Sequence, residues 1–266
     1  MEALTNRPTI REYYNDSYKF TSTATILKIE LDSSSPLKAS ILLDRTIFHP
    51  QEGGQPSDKG EIESVDAKNG EIIRFKVLSL ITNRETDTIW HQGEYEKDYS
   101  SKLEVSDSVK LTVDEAARRF NARLHSAGHL IDMAVSKLNL KWSPGKGYHF
   151  SDGPYVEYQG SPVDDMGALA KKIQELCNEF IIESEENNKV SSKVYNPEEA
   201  ENDESLPQDL RNINKSFRYV RLSNKDNGCP CGGTHVKSLK DLIEIEITKV
   251  AKKGKNVRVS YNIKST

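Results

Sequence analysis

Two histidines four residues apart, His125 and His129, lie in the run Arg123-Leu124-His125-Ser126-Ala127-Gly128-His129-Leu130. That spacing constrains this chain more than any other feature. On a helix, positions i and i+4 share a face one turn apart, so both imidazoles can point at one ion. A second fragment, Cys231-Gly232-Gly233-Thr234-His235, lies about a hundred residues later and offers a thiol and an imidazole on a short Gly-rich loop. Three imidazole nitrogens and one thiolate suit the borderline softness and tetrahedral preference of zinc, and are poor ligands for magnesium or calcium. A zinc finger draws each ligand pair from one local unit, whereas here a helix and a distant loop each supply two, so such a site exists only once the chain has folded. Position 126 is Ser, so the carboxylate base of a His-Glu-x-x-His protease is missing.

Either half alone describes many ordinary helices and loops. Their joint presence beside a third unusual stretch, Phe48-His49-Pro50-Gln51-Glu52-Gly53-Gly54-Gln55-Pro56-Ser57-Asp58-Lys59-Gly60, raises the odds of a common purpose. Its Gly and Pro content predicts a loop whose backbone can approach a neighbour closely.

Taken in order, residues 1 to about 105 read as short strands, Phe20 to Leu31, Ala39 to Leu43, Ile72 to Leu80 and a piece around Thr88 to His91, with a turn signal at Lys68-Asn69-Gly70. An antiparallel barrel fits, although alternation alone does not separate barrel from sandwich. Thr112-Val113-Asp114-Glu115 predicts a capping box, followed by an amphipathic helix with Phe120, Leu124, Ala127, Ile131, Ala134 and Leu138 on its apolar stripe. His125 and His129 flank that stripe. Gly128 costs about 1 kcal/mol relative to Ala inside a helix, which points to close packing there. Trp142 to Gly147 reads as a loop, and Tyr148 to Phe150 with Tyr155 to Gln159 as a hairpin around Asp152-Gly153. Tyr155 and Tyr158 are most simply sheet residues, and His149 a strand residue with a satisfied ring.

Ser161-Pro162 predicts the start of a second helix with Leu169, Ile173, Leu176 and Phe180 on one face, Cys177 buried and inert beside it, and the acidic run Glu183-Ser184-Glu185-Glu186 at its end. Val190 to Tyr195 and Phe217 to Leu222 read as strands around a charged connection, and Leu242 to Val250 with Val257 to Ile263 as a closing hairpin. Cys229 is a neighbour of the candidate ligand Cys231. The fold class expected is α+β, an N-terminal antiparallel β-barrel over residues 1–108 followed by an α/β two-layer domain with a zinc site over 109–266.

With 35% hydrophobic and 29% charged residues, no apolar run approaching a membrane span and no basic-then-apolar start, the chain is expected to be soluble and cytoplasmic. Three cysteines form no even disulfide framework. A net charge of −4 gives no general affinity for phosphate backbones. RNA contact would have to be local, at Lys249, Lys252, Lys253, Lys255 and Arg258, or at Lys137, Lys141 and Lys146. Composition alone favours a solvated turn at these lysines.

His125-Ser126-Ala127-Gly128-His129, Cys231-Gly232-Gly233-Thr234-His235-Val236 and Gly53-Gly54-Gln55-Pro56-Ser57-Asp58 resemble the editing domain of alanyl-tRNA synthetase and its freestanding AlaX relatives. Gly145-Lys146-Gly147-Tyr148-His149-Phe150 through Tyr158 is similar to AlaX proteins in particular. The resemblance spans roughly positions 40 to 240. Where this chain has Glu52, relatives more often have a third glycine.

The resemblance implies a trans-editing hydrolase that removes serine, and glycine as a further candidate, from mischarged tRNA(Ala). It implies zinc on His125, His129, Cys231 and His235, catalytic roles around Gly53, Gly54, Gln55 and Thr234, and RNA contact at Lys146, Lys249, Lys252, Lys253, Lys255 and Arg258. An alanine pocket cannot strongly reject glycine or an added hydroxyl, hence the need for a second site. Four protein ligands are, however, the structural zinc pattern, while catalytic sites keep an open place. A non-enzymatic RNA-binding module with structural zinc is therefore one rival, and a threonyl-tRNA-type editing domain, which shares the His-x-x-x-His and Cys-x-x-x-His pattern, is another.

Overall fold

Alternating apolar and polar residues broken by turn formers dictate strands along the first part of the chain. The computed structural model describes residues 7–65, 70–99, 101–184 and 189–264. Strands β1 (Ile10–Arg11) and β4 (Arg45–Thr46) pair in parallel. Strands β2 (Thr21–Leu31), β3 (Lys38–Leu43), β5 (Gly60–Ser64), β6 (Arg74–Asn83), β7 (Thr88–Tyr95) and β8 (Ser108–Val113) close into an antiparallel barrel in the order β2-β3-β7-β6-β5-β8. Closure leaves no open sheet edge. Ile26, Ile41, Ile62, Phe75, Val77, Ile89, Val109 and Leu111 fill its core. Of the expected Lys68-Asn69-Gly70 turn, Lys68 and Asn69 lie outside the described residues.

The chain divides into two compact units, 1–52 with 56–120, and 53–55 with 121–266. Strand β8 runs to Val113, past the 108/109 division suggested by the sequence, because the barrel needs it between β2 and β5. The first unit also buries an ion pair. The Arg118 guanidinium holds the Asp58 carboxylate and donates to the carbonyls of Ser17 (2.9 Å) and Ile47 (2.5 Å). Asp58 in turn accepts from the His49 amide at 2.5 Å.

Helix α1 covers Glu115–Lys137. Thr112 does not cap it, because β8 takes Thr112 into the ladder opposite Thr21 and Glu61. Asp114 Oδ1 accepts from the Ala117 amide instead, at 3.0 Å. Phe120 stands 37% exposed, outside the buried stripe that begins at Leu124.

In the second unit, β9 (Ser143–Tyr148), β10 (Tyr155–Gln159), β14 (Ile245–Lys253) and β15 (Asn256–Ile263) form an antiparallel sheet ordered β14-β15-β10-β9. Residues 143–147, expected as loop, are thus an edge strand, a position that tolerates Pro144 and two glycines. Helix α2 covers Met166–Ile182 and is capped by Asp165, which accepts from the Ala168 amide at 2.8 Å. Ser161 is not its cap: its carbonyl receives the Trp142 indole N–H at 2.8 Å. Glu183 is the C-cap residue, and Glu185 and Glu186 lie outside the described residues.

A smaller antiparallel sheet joins β11 (Ser191–Tyr195), β12 (Phe217–Arg221) and β13 (Cys229–Pro230), with short helices α3 (Pro197–Glu201) and α4 (Gln208–Arg211) between. One core gathers Leu130, Ile131 and Ala134 of α1, Ile173 and Cys177 of α2, and Val257, Val259 and Tyr261 of β15. Burial pushes the Cys177 thiol far above its ordinary pKa, as expected of an inert thiol. The architecture is α+β. Among the described residues no helix is long and apolar enough to cross a membrane.

Candidate metal centre

The i, i+4 spacing on α1 places the His125 and His129 rings parallel, with centroids 5.0 Å apart and planes 10° from each other. The loop after β13 brings His235 to 4.9 Å from His125 and 5.0 Å from His129, centroid to centroid. Cys231 Sγ lies 3.3 Å from His125 Nε2. One donor atom from each of His125, His129, Cys231 and His235 falls within 4.8 Å of every other. A tetrahedral zinc with bonds of about 2.0–2.3 Å has ligand atoms about 3.3–3.8 Å apart, so the set needs only a slight contraction. The donor chemistry and the spacing fit a borderline metal. His125 and His235 are buried, while His129 and Cys231 keep partial exposure.

Gln55 sets the tautomer of His125. Its Oε1 can only accept, and it lies 2.9 Å from His125 Nδ1 and 2.9 Å from the Thr234 amide, while Gln55 Nε2 donates to Thr234 Oγ1 at 2.9 Å. The proton therefore sits on Nδ1, and Nε2 presents its lone pair to the cluster. Gln55 and Thr234 are both fully buried. On His129, Nδ1 faces Cys229 Sγ at 3.4 Å.

Burial opposes charge at Cys231 and His129 alike, yet thiolate and imidazolium favour each other, so the Cys231 pKa falls and the His129 pKa rises. The thiol proton is thereby loosened, as metal ligation requires.

Glycines let these parts close up. A Cβ on Gly233 would stand 2.1 Å from His125 Cε1, and one on Gly54 2.3 Å from the Gly147 carbonyl oxygen. Gly53 and Gly54 take φ of +59° and +77°, which explains glycine at both. Gly128 answers to His149, whose Cε1 would lie 2.4 Å from a Cβ there.

Three residues matter more to the cluster than their local sequence suggests. His149 is buried and stacks on His125 at 4.6 Å. Its ring is satisfied as expected: Tyr261 OH donates to the Leu124 carbonyl (2.8 Å) and accepts from His149 Nδ1 (2.7 Å). Burial, with a smaller effect of the His129 charge, lowers its pKa to about 3. Ser126 Oγ accepts from the Val236 amide at 3.1 Å, tying the helix motif to the loop motif. Arg218 donates to the Gly233 carbonyl at 2.8 Å and the Cys231 carbonyl at 3.2 Å. Cys229 is, as expected, a neighbour of the donor set and not part of it. Lys146 lies on β9, which ends one residue before His149, and Lys249, Lys252, Lys253, Lys255 and Arg258 lie on the β14–β15 hairpin, apart from the four donors in sequence. Arg258 is committed to an ion pair with Glu157 at 2.7 Å.

Fold and cluster together define an α+β protein with a barrel unit and a second unit carrying a candidate centre of three imidazoles and one thiol. No family model matches the chain. It is 28% identical over 251 residues to alanyl-tRNA editing protein AlaX-L of Pyrococcus horikoshii, covering 93% of this chain and 56% of that protein. It is 28% identical over 255 residues to alanyl-tRNA editing protein AlaX-M of Methanosarcina barkeri, covering 94% and 96%. An alanine–tRNA ligase of Methanobrevibacter smithii is 30% identical over 218 residues, which are 80% of this chain and 22% of the ligase. The chain is thus similar to the AlaX editing proteins over most of its length, and spans little more than half of AlaX-L and nearly all of AlaX-M.

Proposed function

We propose that the chain is an aminoacyl-tRNA deacylase that acts in trans on tRNA(Ala) mischarged chiefly with serine, with glycine as a further candidate. The observation that carries this reading is convergence. Gly53 to Gln55, the α1 histidines and the Cys231 to His235 loop, three separate motifs, meet around one donor set in one compact unit.

His125, His129, Cys231 and His235 would hold zinc. Zinc in that place would polarise an ester carbonyl or lower the pKa of water. The chain's own part is positional. Gln55 holds the His125 ring and the Thr234 backbone in register, and since both Gln55 and Thr234 are fully buried we assign them to positioning, not to contact with the ester. Gly53 is exposed beside His125, and Gly53 and Gly54 are assigned to backbone approach to the substrate, where amide groups can stabilise a developing oxyanion. His149, neutral at ordinary pH, walls the cluster off from water on one side.

One observation favours a second reading, a structural zinc in an RNA-binding module: four protein donors already complete a tetrahedron. Stepwise chelation separates the two. If metal removal abolishes hydrolysis of seryl-tRNA(Ala) while the circular dichroism and melting of the second unit persist, the deacylase reading stands. If the unit unfolds with metal loss and the zinc-loaded protein never cleaves ester, the structural reading replaces it.

A further inference from the structure

The sheet of the second unit buries one face and leaves the other open. Val156, Tyr158, Val257, Val259 and Tyr261 point into the helical core. Cross-strand partners share a face, so the pairs Tyr148–Tyr155, Glu157–Arg258, Tyr155–Ser260 and Lys249–Ser260 all belong to the opposite one. On it the Phe150 and Tyr148 rings stack at 4.6 Å and 14°, Tyr148 and Tyr155 at 5.3 Å and 18°, and the Arg258 guanidinium lies 3.7 Å from the Tyr155 centroid. These four groups form one continuous half-exposed stack across β9, β10 and β15.

Charge follows the same face. Lys249 and Lys253 stand opposite Ser260 and Asn256 and so share it, whereas Lys252 stands opposite the core residue Val257 and Lys255 lies in the turn. Lys146 is two residues from Tyr148 on β9, and its charge helps hold the Glu157 carboxyl below its ordinary pKa, after the dominant hydrogen bond from Arg258. Glu157 is neutralised by Arg258, Glu246 lies at the far end of β14, and the Asp152 carboxylate accepts from the Tyr148 hydroxyl at 3.0 Å, so the net positive end of the face is that of Lys249 and Lys253. The exposed lysines therefore present local positive charge on a chain whose net charge is −4.

Aromatic rings joined to a guanidinium and rimmed by lysines are the chemistry that holds unpaired nucleotides: bases extend the stack and phosphates take the ammonium groups. We propose that this open sheet face is the docking surface for the single-stranded 3′ end of the RNA, a base stacking on the outer face of Phe150 and phosphates lying along Lys249 and Lys253. It rests on the reading that the substrate is a tRNA. Tyr148 and Phe150 flank His149 in sequence, and the His149 ring stacks on the donor His125, so the chain links the stack to the candidate metal centre through one intervening residue that is not itself a donor.

The test is fluorescence anisotropy with a labelled short single-stranded RNA, using the zinc-loaded full chain. Phe150→Leu should bind roughly 5- to 100-fold more weakly and Phe150→Trp at native strength. The Lys249→Ala, Lys253→Ala pair should reduce the salt slope by about 1.4. Melting and zinc content are measured alongside, to show that Phe150→Leu is folded and loaded. Unchanged binding by folded Phe150→Leu would overturn the proposal, as would equal losses in Leu and Trp variants. Ester cleavage by the native protein is scored separately. Native cleavage with an unaltered KM in Phe150→Leu sinks the platform alone, while RNA bound through Phe150 without any cleavage sinks the deacylase alone.

Discussion

The Gln55 side-chain oxygen lies 2.9 Å from His125 Nδ1 and 2.9 Å from the Thr234 amide. One buried amide thus fixes a ring on α1 and the loop that carries Cys231 and His235. An outer partner of this kind typically changes metal affinity by about 10- to 100-fold. Gln55→Ala should weaken zinc binding by that factor, and Gln55→Glu, which keeps an acceptor, by less. Competition against a chromogenic chelator measures both, and equal affinity in native and Gln55→Ala proteins would contradict the assignment.

Gly128→Ala offers a test of sign. Helix propensity alone predicts a gain of about 1 kcal/mol. The new Cβ would instead stand 2.4 Å from His149 Cε1, against a ring held by Tyr261. We expect a net loss of about 1–3 kcal/mol, the range for overpacking a core. Chemical denaturation of the two proteins decides it, and a more stable variant would show that His149 is not packed where the structure puts it.

Asp58 and Arg118 are both buried, with side-chain exposures of 1% and 0%. Removing one partner leaves an uncompensated charge, which costs about 3–5 kcal/mol. Asp58→Ala should therefore lower the urea midpoint of the barrel unit steeply, and replacement of both partners by apolar residues should lower it less. A loss below 1 kcal/mol in Asp58→Ala, judged against typical surface effects of about 0.5 kcal/mol, would contradict this.

His91 supplies a pH dependence. It is fully buried, with Nδ1 at 3.1 Å from the Ile41 carbonyl and Nε2 at 2.7 Å from Thr46 Oγ1, and burial lowers its pKa to about 4. The unfolded value is about 6.5, so between the two the unfolded chain holds the extra proton. Its contribution is full above pH 6.5 and is lost as pH falls towards 4, by roughly 3 kcal/mol at most. His91→Gln should flatten the stability profile in that window, and an unchanged slope would refute the assignment to His91.

The meeting of the four candidate donors was legible because they come as short motifs with helical or loop spacing. His125, His129, Cys231 and His235 meet as the i, i+4 rule and the Gly-rich loop imply. The partners that orient them were harder to read. Ser126 acts through one hydrogen bond and Arg218 through two, all to backbone distant in sequence, which no local pattern announces.

Element existence was read better than element ends. Thr112 looked like a cap, but strand pairing outbid a local hydrogen bond, and Asp114 and Asp165 cap the two long helices instead. Residues 143–147 looked like a loop because Pro and Gly disfavour central strands, yet an edge strand tolerates them. The basic cluster near the end was visible in sequence, but only strand register divides Lys249 and Lys253 from Lys252.

The proposed role of the His125/His129/Cys231/His235 centre is ester hydrolysis on mischarged tRNA. Its most direct measurement is deacylation of seryl-tRNA(Ala) beside correctly charged alanyl-tRNA(Ala), by the zinc-loaded native chain and by a folded His125→Ala, His129→Ala variant. A deacylase of this kind should release serine rapidly and alanine little, and the variant should be inactive. Tight RNA binding with serine left in place, or serine release undiminished in the folded variant, would contradict that role.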